Sequence, residues 1–276
     1  MELQKFINEN NDWITKIKSK GLKIRKYNKY NSILVSHYYD KPLDYTNDED
    51  YWIMYCKGAV ININTNKVIC VPPVKSKEID FESDKFKQNT YQHLIDGTMI
   101  NLFNINDEWI ISTRSEIGGY NKWKGKKSFR KMFDECINFD VNLLNKDYCY
   151  SFVMKHLDNI NISNVYSNEV YLVEIYDINT LTLITEDQFV KLPENIQKIT
   201  NIIYENDKVS KLNFDNFKFK GITVREGNKR YKYINPKFTE VSELVQISNN
   251  SFIDYLELRK NNNLKKYLSY YPEKNK

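Results

Sequence analysis

The chain is poor in the residues that build loops: 276 positions contain only 8 glycines and 6 prolines, which argues against a loop-dominated architecture. Long apolar runs are missing too. None approaches the roughly 18 residues that a membrane span needs, and the first twenty residues are charged throughout. That pattern predicts a cytoplasmic, non-secreted protein with no membrane partner. The four cysteines, Cys56, Cys70, Cys136 and Cys149, show no C-x-x-C spacing, and His37, His93 and His156 are scattered. A zinc site is therefore not expected, and four reduced, mostly buried thiols are. No sign of charge dominates, since 41 basic and 36 acidic residues are interspersed to a net +5. Such a balance permits nucleic-acid binding without requiring it. What the chain has in abundance is aromatic side chains, 21 Tyr and 14 Phe with 41% apolar residues overall, the composition of an ordered globular core.

Hydrophobic spacing predicts an amphipathic helix over 2–20, a strand over 32–39 and a loop over 44–50. Hairpins follow at 58–63 with 67–71, closed by Pro72-Pro73, and at 97–104 with 108–114, turning at Asn106-Asp107. Phe129, Met132, Phe133, Cys136 and Ile137 predict a covering helix capped by Ser128. Strands are expected at 148–154, 170–176 and 181–184, a helix interrupted by Pro193 over 187–206, and a hairpin of 217–225 with 229–234. Residues 240–271 read as helical, with Leu244, Phe252, Tyr255, Leu256 and Leu258 available for burial and Tyr267, Tyr270 and Tyr271 as packing residues. Alternating hairpins and helices give an α+β chain without internal repeats. The expected organisation is an N-terminal helix and strand (1–50) packed on a main domain (51–239), then a short helical C-terminal extension (240–276).

Four segments carry chemistry by their joint order. Cys56-Lys57-Gly58-Ala59-Val60 precedes Lys67 to Pro73. Next comes His93-Leu94-Ile95-Asp96-Gly97-Thr98-Met99-Ile100 with Trp109 to Arg114, then Tyr150 to Asn159, and last Lys220-Gly221-Ile222-Thr223-Val224-Arg225 with Arg230-Tyr231-Lys232. In this order they resemble the viral and phage-type RNA ligases of the covalent nucleotidyltransferase superfamily, which also holds DNA ligases and mRNA capping enzymes. The stretches from Asp96 and from Trp109 are similar to divergent ligase-like proteins of large DNA viruses. The resemblance spans roughly 55–238 and implies a nucleotidyltransferase (ATP-grasp-like) domain of antiparallel sheets with covering helices. It also implies ATP and Mg2+ as cofactors, nucleotide or RNA as partner, and nucleotide contacts from Lys57, Asp96, Gly97, Arg114, Arg225, Arg230 and Lys232.

The departures sort by chemical role. Leu94 stands where the family's K-x-D-G motif has its nucleophilic lysine, and an aliphatic side chain cannot carry a nucleotide as a phosphoramide. Val153 and Met154 stand where a strand glutamate is expected, and Lys220 replaces a second glutamate, so no metal ligand is assigned. Lys57 replaces an arginine, keeping charge but losing the planar fork.

Several residues could substitute for the missing groups. His93 could form a phosphoramidate, but alternation on an extended segment points it away from the pocket that Asp96 faces. Lys85 and Lys87 could reach back from the preceding loop. Glu116, Glu169 and Glu174 are the alternative metal ligands, and Asp96 is equally a ribose or metal contact and a turn former. Gly119 to Ser128 has the wrong spacing for a P-loop. Its basic run, Lys122 to Arg130 with Tyr120 and Trp123, reads as a solvated approach to the helix or as an RNA contact. Arg230 and Lys232 share a strand face, which calls for a bound phosphate or a carboxylate such as Glu226 between them. Three functions follow: a catalytically degenerate ligase-like module binding nucleotide phosphates or RNA, an active ligase or capping-type enzyme with an unrecognised nucleophile, and a structural subunit.

Overall fold

A computed structural model describes residues 1–37, 48–82, 91–122, 127–185, 192–198, 201–202, 212, 214–245 and 250–275. The first sheet has the order β1-β2-β3-β4, built from β1 (Leu22–Tyr27), β2 (Ser32–His37), β3 (Ala59–Asn62) and β4 (Val68–Cys70). Two helices lie over its core, α1 (Glu2–Glu9) burying Leu3 and Ile7, and α2 (Trp13–Ser19) burying Trp13 and Ile17. The single opening helix expected over 2–20 is thus broken. Asn10 is the reason: it leaves helical geometry (φ −131°, ψ 103°) while its Nδ2 donates to the Phe6 carbonyl at 2.7 Å. Of the expected loop over 44–50, residues 44–47 lie outside the described residues, and Asp48–Tyr55 forms a 3-10 helix whose Trp52 stacks on Phe6 at 3.9 Å.

The central sheet runs β11-β10-β9-β7-β8, with β12 parallel to β10. Its members are β7 (Thr98–Ile105), β8 (Glu108–Ser112), β9 (Tyr148–Lys155), β10 (Glu169–Asp177), β11 (Thr182–Leu183) and β12 (Gln197–Lys198). The β7–β8 hairpin turns at Asn106-Asp107 as predicted, both with positive φ (51° and 66°), the backbone that a two-residue hairpin turn demands. Helix α3 (Phe129–Cys136) buries its apolar stripe against this sheet, and Ser128 caps it by accepting from the Lys131 N–H at 3.3 Å.

The third sheet, β13-β6-β14-β15-β5, joins β5 (Lys77–Glu78), β6 (Tyr91–His93), β13 (Asn201–Ile202), β14 (Gly221–Glu226) and β15 (Lys229–Ile234). The described residues of the helix expected over 187–206 include β12 and β13, so that segment supplies short strands instead. Three helices close the chain: α4 (Pro236–Leu244), α5 (Ser251–Lys260) and α6 (Leu264–Tyr270). Leu244 and Leu258 are buried as expected, but Phe252, Tyr255 and Leu256 are exposed, Phe252 at 65%. At 100° per residue Leu258 falls on the side of α5 opposite Phe252 and Leu256, and only that side packs. Tyr271 donates to the Ile162 carbonyl at 2.8 Å and Tyr270 to Glu240 at 3.0 Å, tying the C-terminal helices down. The architecture is the expected α+β. All four thiols are buried and unbridged. Among the described residues no helix is long and apolar enough to cross a membrane.

Candidate functional site

Gly97 sits between two cavities. A Cβ there would lie 2.5 Å from the Met154 carbonyl and 2.7 Å from Val153 Cγ1, so only glycine lets the entry to β7 pass this close to β9. One cavity lies along Gly97, Thr98 and Met99, the other along His93 to Asp96.

The larger cavity, about 700 Å³, is lined by Lys57, Lys75, Arg114, Lys122 and Arg230 over an apolar floor that includes Met99 and Phe129. No described lining residue is acidic. Gly58 brings two of the cations together: its φ of +106° and missing Cβ let the chain after Lys57 pass against the Arg114 backbone, where a Cβ would lie 3.1 Å from Arg114 Cα. Solvent reaches the Lys57 tip, yet the cavity walls strip much of its water. That desolvation, then Arg114, Lys232, Lys75 and Arg230, lowers its ammonium to about 8. His37, behind this group, is lowered to about 4 by burial, partly offset by its contact with the Ile53 carbonyl, so it adds no charge at neutral pH.

The smaller cavity, about 220 Å³, is lined by His93, Leu94, Ile95, Asp96, Lys155, Lys198, Lys218 and Lys220, with Ser163, Tyr171 and Phe219. Here Leu94 and Lys220, the two departures from the resembled motifs, meet, one aliphatic and the other cationic. Asp96 is a structural anchor. Its Oδ2 accepts from the Ile162 N–H at 2.7 Å and the Ser163 N–H at 3.0 Å, and Lys220 Nζ lies 3.5 Å from its other oxygen. His93 lines the same cavity as Asp96 rather than facing away, because β6 ends at His93 and strand alternation ends with it. Burial lowers its pKa, and its ring meets Phe219 edge-on at 5.2 Å. Lys85 and Lys87 lie outside the described residues.

The remaining predicted cations are paired. Arg225 and Arg230 share Glu174, 8% exposed on β10, at 2.5 and 3.7 Å. Lys232 is 3.0 Å from Glu78. The expected carboxylate is present, but as Glu174 and Glu78 rather than Glu226. Glu116 accepts from the Asn121 N–H, while Glu169 accepts from Ser167 and from Tyr171 at 2.7 Å. The three alternative metal ligands therefore do not converge. In the basic run, Lys122 lines the larger cavity, Lys127 bridges Glu135 (2.6 Å) and Asp158 (2.9 Å), and Arg130 pairs with Asp134. Trp123 lies outside the described residues. Glu135, His156 and Asp158 form a cluster of metal-ligand type, but Lys127 already supplies its cation and both His156 nitrogens are engaged, by Glu135 and the Asp158 N–H.

No family model and no curated protein matches the chain. Solved structures do. A protein of Aquifex aeolicus assigned as an ATP-dependent DNA ligase superposes with TM-score 0.56 at 12% identity, over 94% of this chain and 76% of that one. An archaeal ATP-dependent RNA ligase superposes with TM-score 0.56 at 13% identity, over 87% of this chain and 66% of its own. The fold is that of the ATP-dependent ligases. Part of each ligase has no counterpart in this chain, and at such identities the likeness concerns fold alone.

On this ligase fold a nucleotide has a cavity of suitable size, since 700 Å³ lies within the roughly 300–1,000 Å³ of small-molecule pockets. A magnesium ion does not fit the described residues. It takes carboxylate oxygens, and the one acid lining either cavity is Asp96, already committed to two backbone amides and a lysine. Sequence reading missed Lys75 in the larger cavity, where it had Lys122 only as part of a basic run, and Lys155, Lys198 and Lys218 in the smaller. It named Glu174 only as a metal ligand.

Proposed function

We propose that this chain is a ligase-like nucleotidyltransferase that has lost covalent nucleotidyl transfer and binds the phosphates of a nucleotide or of RNA in its larger cavity. The observation that carries the reading is the lining of that cavity: five cations and no described acid, with Lys57 lowered to about 8 by desolvation and then by neighbouring cations. Such a group is stabilised by an anion, which relieves both the repulsion and the lost hydration. Leu94 removes the nucleophile, and Lys220 with Val153 and Met154 removes the carboxylates. Groups that act as one catalytic unit leave little activity when several are lost together.

The test is incubation with ATP or GTP labelled at the α-phosphate, with magnesium or manganese, followed by denaturation. No label is expected on the wild type, and none on Leu94→Lys, because the carboxylates stay absent. A label surviving on the wild type would overturn the reading and direct mapping first to His93, Lys85 and Lys87. Reversible binding of the same nucleotides should persist and fall at least about tenfold in Lys57→Glu. A structural-subunit role is favoured by one observation, the neutralisation of Arg225 and Arg230 by Glu174. That role predicts no nucleotide or RNA binding at all.

A further inference from the structure

We propose that a third cavity, between the loop after β9 and the C-terminal helices, binds a guanidinium group, the head of an arginine side chain. This role lies beyond the phosphate binding proposed above and does not rest on it. Among the described residues only Ser163 is common to this cavity and the two at Gly97. Its volume is about 530 Å³, within the range of small-molecule pockets.

The lining is short of donors. Asn159, 9% exposed, donates through Nδ2 to the Thr98 hydroxyl at 2.9 Å, and Asn161 donates through Nδ2 to the Asp96 carbonyl at 2.9 Å. A carbonyl can only accept, so the Asn161 amide cannot be turned round and its Oδ1 is fixed as an acceptor. Both asparagines line the cavity, and the Oδ1 of each is buried without a partner among the described residues. A buried acceptor without a donor is unfavourable, and a ligand that brings several N–H groups relieves both at once. The loop that carries them is held in place: Asp96 accepts from the Ile162 and Ser163 N–H groups, and Tyr271 donates to the Ile162 carbonyl at 2.8 Å.

Charge and aromatic surface select the kind of donor. Among the described lining residues Glu273 is the one carboxylate and Lys274 the one ammonium. The acids prevail at the tyrosines of the wall. Burial first, then Glu273 and Asp254 at Tyr267, and Tyr267, Asp96 and Glu273 at Tyr271, raise both phenols above the ordinary tyrosine range. A field of that sign favours a cation. Tyr166 adds an aromatic ring that is 77% exposed, and Leu157 and Val245 add apolar wall for a methylene stem. A guanidinium meets all of these features, with a planar fork of donors for the amide oxygens and the carboxylate and a flat face that stacks on tyrosine. An ammonium matches the charge but has neither the fork nor the plane.

The experiment is calorimetric titration of the full chain with N-acetylarginine amide, its neutral isostere N-acetylcitrulline amide and N-acetyllysine amide at fixed salt. The arginine derivative should bind about tenfold tighter than the citrulline one and tighter than the lysine one. Asn161→Leu should abolish that preference. Glu273→Gln should weaken arginine binding about threefold and Lys274→Ala should strengthen it by a similar factor, the size of an exposed charge contact. Both of these side chains are exposed, so their variants stay informative if Asn161→Leu disturbs the loop. Lys57→Glu, in the larger cavity, should change nothing here. Agmatine and the pentapeptide Gly-Gly-Arg-Gly-Gly identify the source: tighter binding of the peptide assigns an arginine within a polypeptide, and tighter binding of agmatine a free small molecule. Equal affinity for the citrulline derivative, arginine affinity indifferent to both Asn161 and Glu273, or weaker binding in Lys274→Ala would each overturn the proposal. Adenosine binding more tightly than the arginine derivative and displacing it would also overturn it, as a cavity for a neutral base.

Discussion

The two cavities on either side of Gly97 hold excess positive charge by different means. In the larger one Arg230 comes from β15 and the other cations from segments outside the strands, and they crowd over an apolar floor where lost hydration first, and repulsion after it, lowers the pKa of Lys57. Relief comes from one buried carboxylate, Glu174, shared by Arg225 and Arg230. In the smaller one the cations are lysines, and the only acid among the described lining residues holds backbone with one oxygen and faces Lys220 with the other. The comparison teaches that positive charge can gather in two ways, by crowding beside a buried carboxylate or by lysines around a single committed acid.

The sharpest way to break the comparison is to remove the shared carboxylate. Glu174→Gln strands two guanidinium groups within reach of one neutral amide, and loss of one member of a buried ion pair costs about 3–5 kcal/mol. A fall of that size in urea-unfolding free energy is expected, partly reversed by added phosphate, because Arg230 lines the larger cavity. A loss below about 1 kcal/mol would place the pair in the class of solvated ion pairs and remove the case for a charge-strained cavity.

Next in size is the wall between the cavities. Gly97→Ala places a methyl group 2.5 Å from the Met154 carbonyl, and a contact that close to backbone forces β7 away from β9. Overpacking of this kind costs about 1–3 kcal/mol. Calorimetric melting would record it, and anion affinity at the larger cavity should fall with it. An unchanged melting temperature would show that the two strands can separate at this point and that the cavities are not built on a common wall.

Legibility differed between framework and site for a physical reason. Hairpins and the covering helix follow from alternation, turn chemistry and capping, which are local, so β3–β4, β7–β8, β14–β15 and α3 stood close to their expected positions. The opening helix failed at Asn10, where a side chain competes with the backbone for one carbonyl. At α5 the apolar residues encircle the helix, and the sequence cannot tell which side will be covered. Site residues are a non-local question. Glu174 and Arg225 are 51 positions apart, and no spacing rule joins them. The order of the family-like segments grouped Lys57, Asp96, Gly97, Arg114 and Arg230 as one site, whereas Asp96 lines the smaller cavity with Leu94 and Lys220, and the others line the larger. It could not reveal that these are two cavities rather than one.

The smallest expected effect is also the most specific, the pH dependence of the larger cavity. Lys57 titrates near 8 in the folded chain against an ordinary 10.5, so between these values the unfolded chain holds a proton that the folded chain has released. Its contribution therefore makes stability rise with pH from about 8 to 10.5, and the penalty for the charged form is fully present below 8. An anion in the cavity favours protonated Lys57, so affinity should decline as pH passes 8, by at most about tenfold per unit. Oligoadenylate is a suitable probe because its diesters keep their charge across this range. Lys57→Arg, which holds its proton throughout, should bind with a nearly flat profile from pH 7 to 9.5. If the wild type is equally flat, Lys57 does not face the bound anion. If the arginine variant shows the same decline, the titrating group lies elsewhere in the cavity, and Lys75, whose pKa burial and Lys232 also lower, is the next residue to replace.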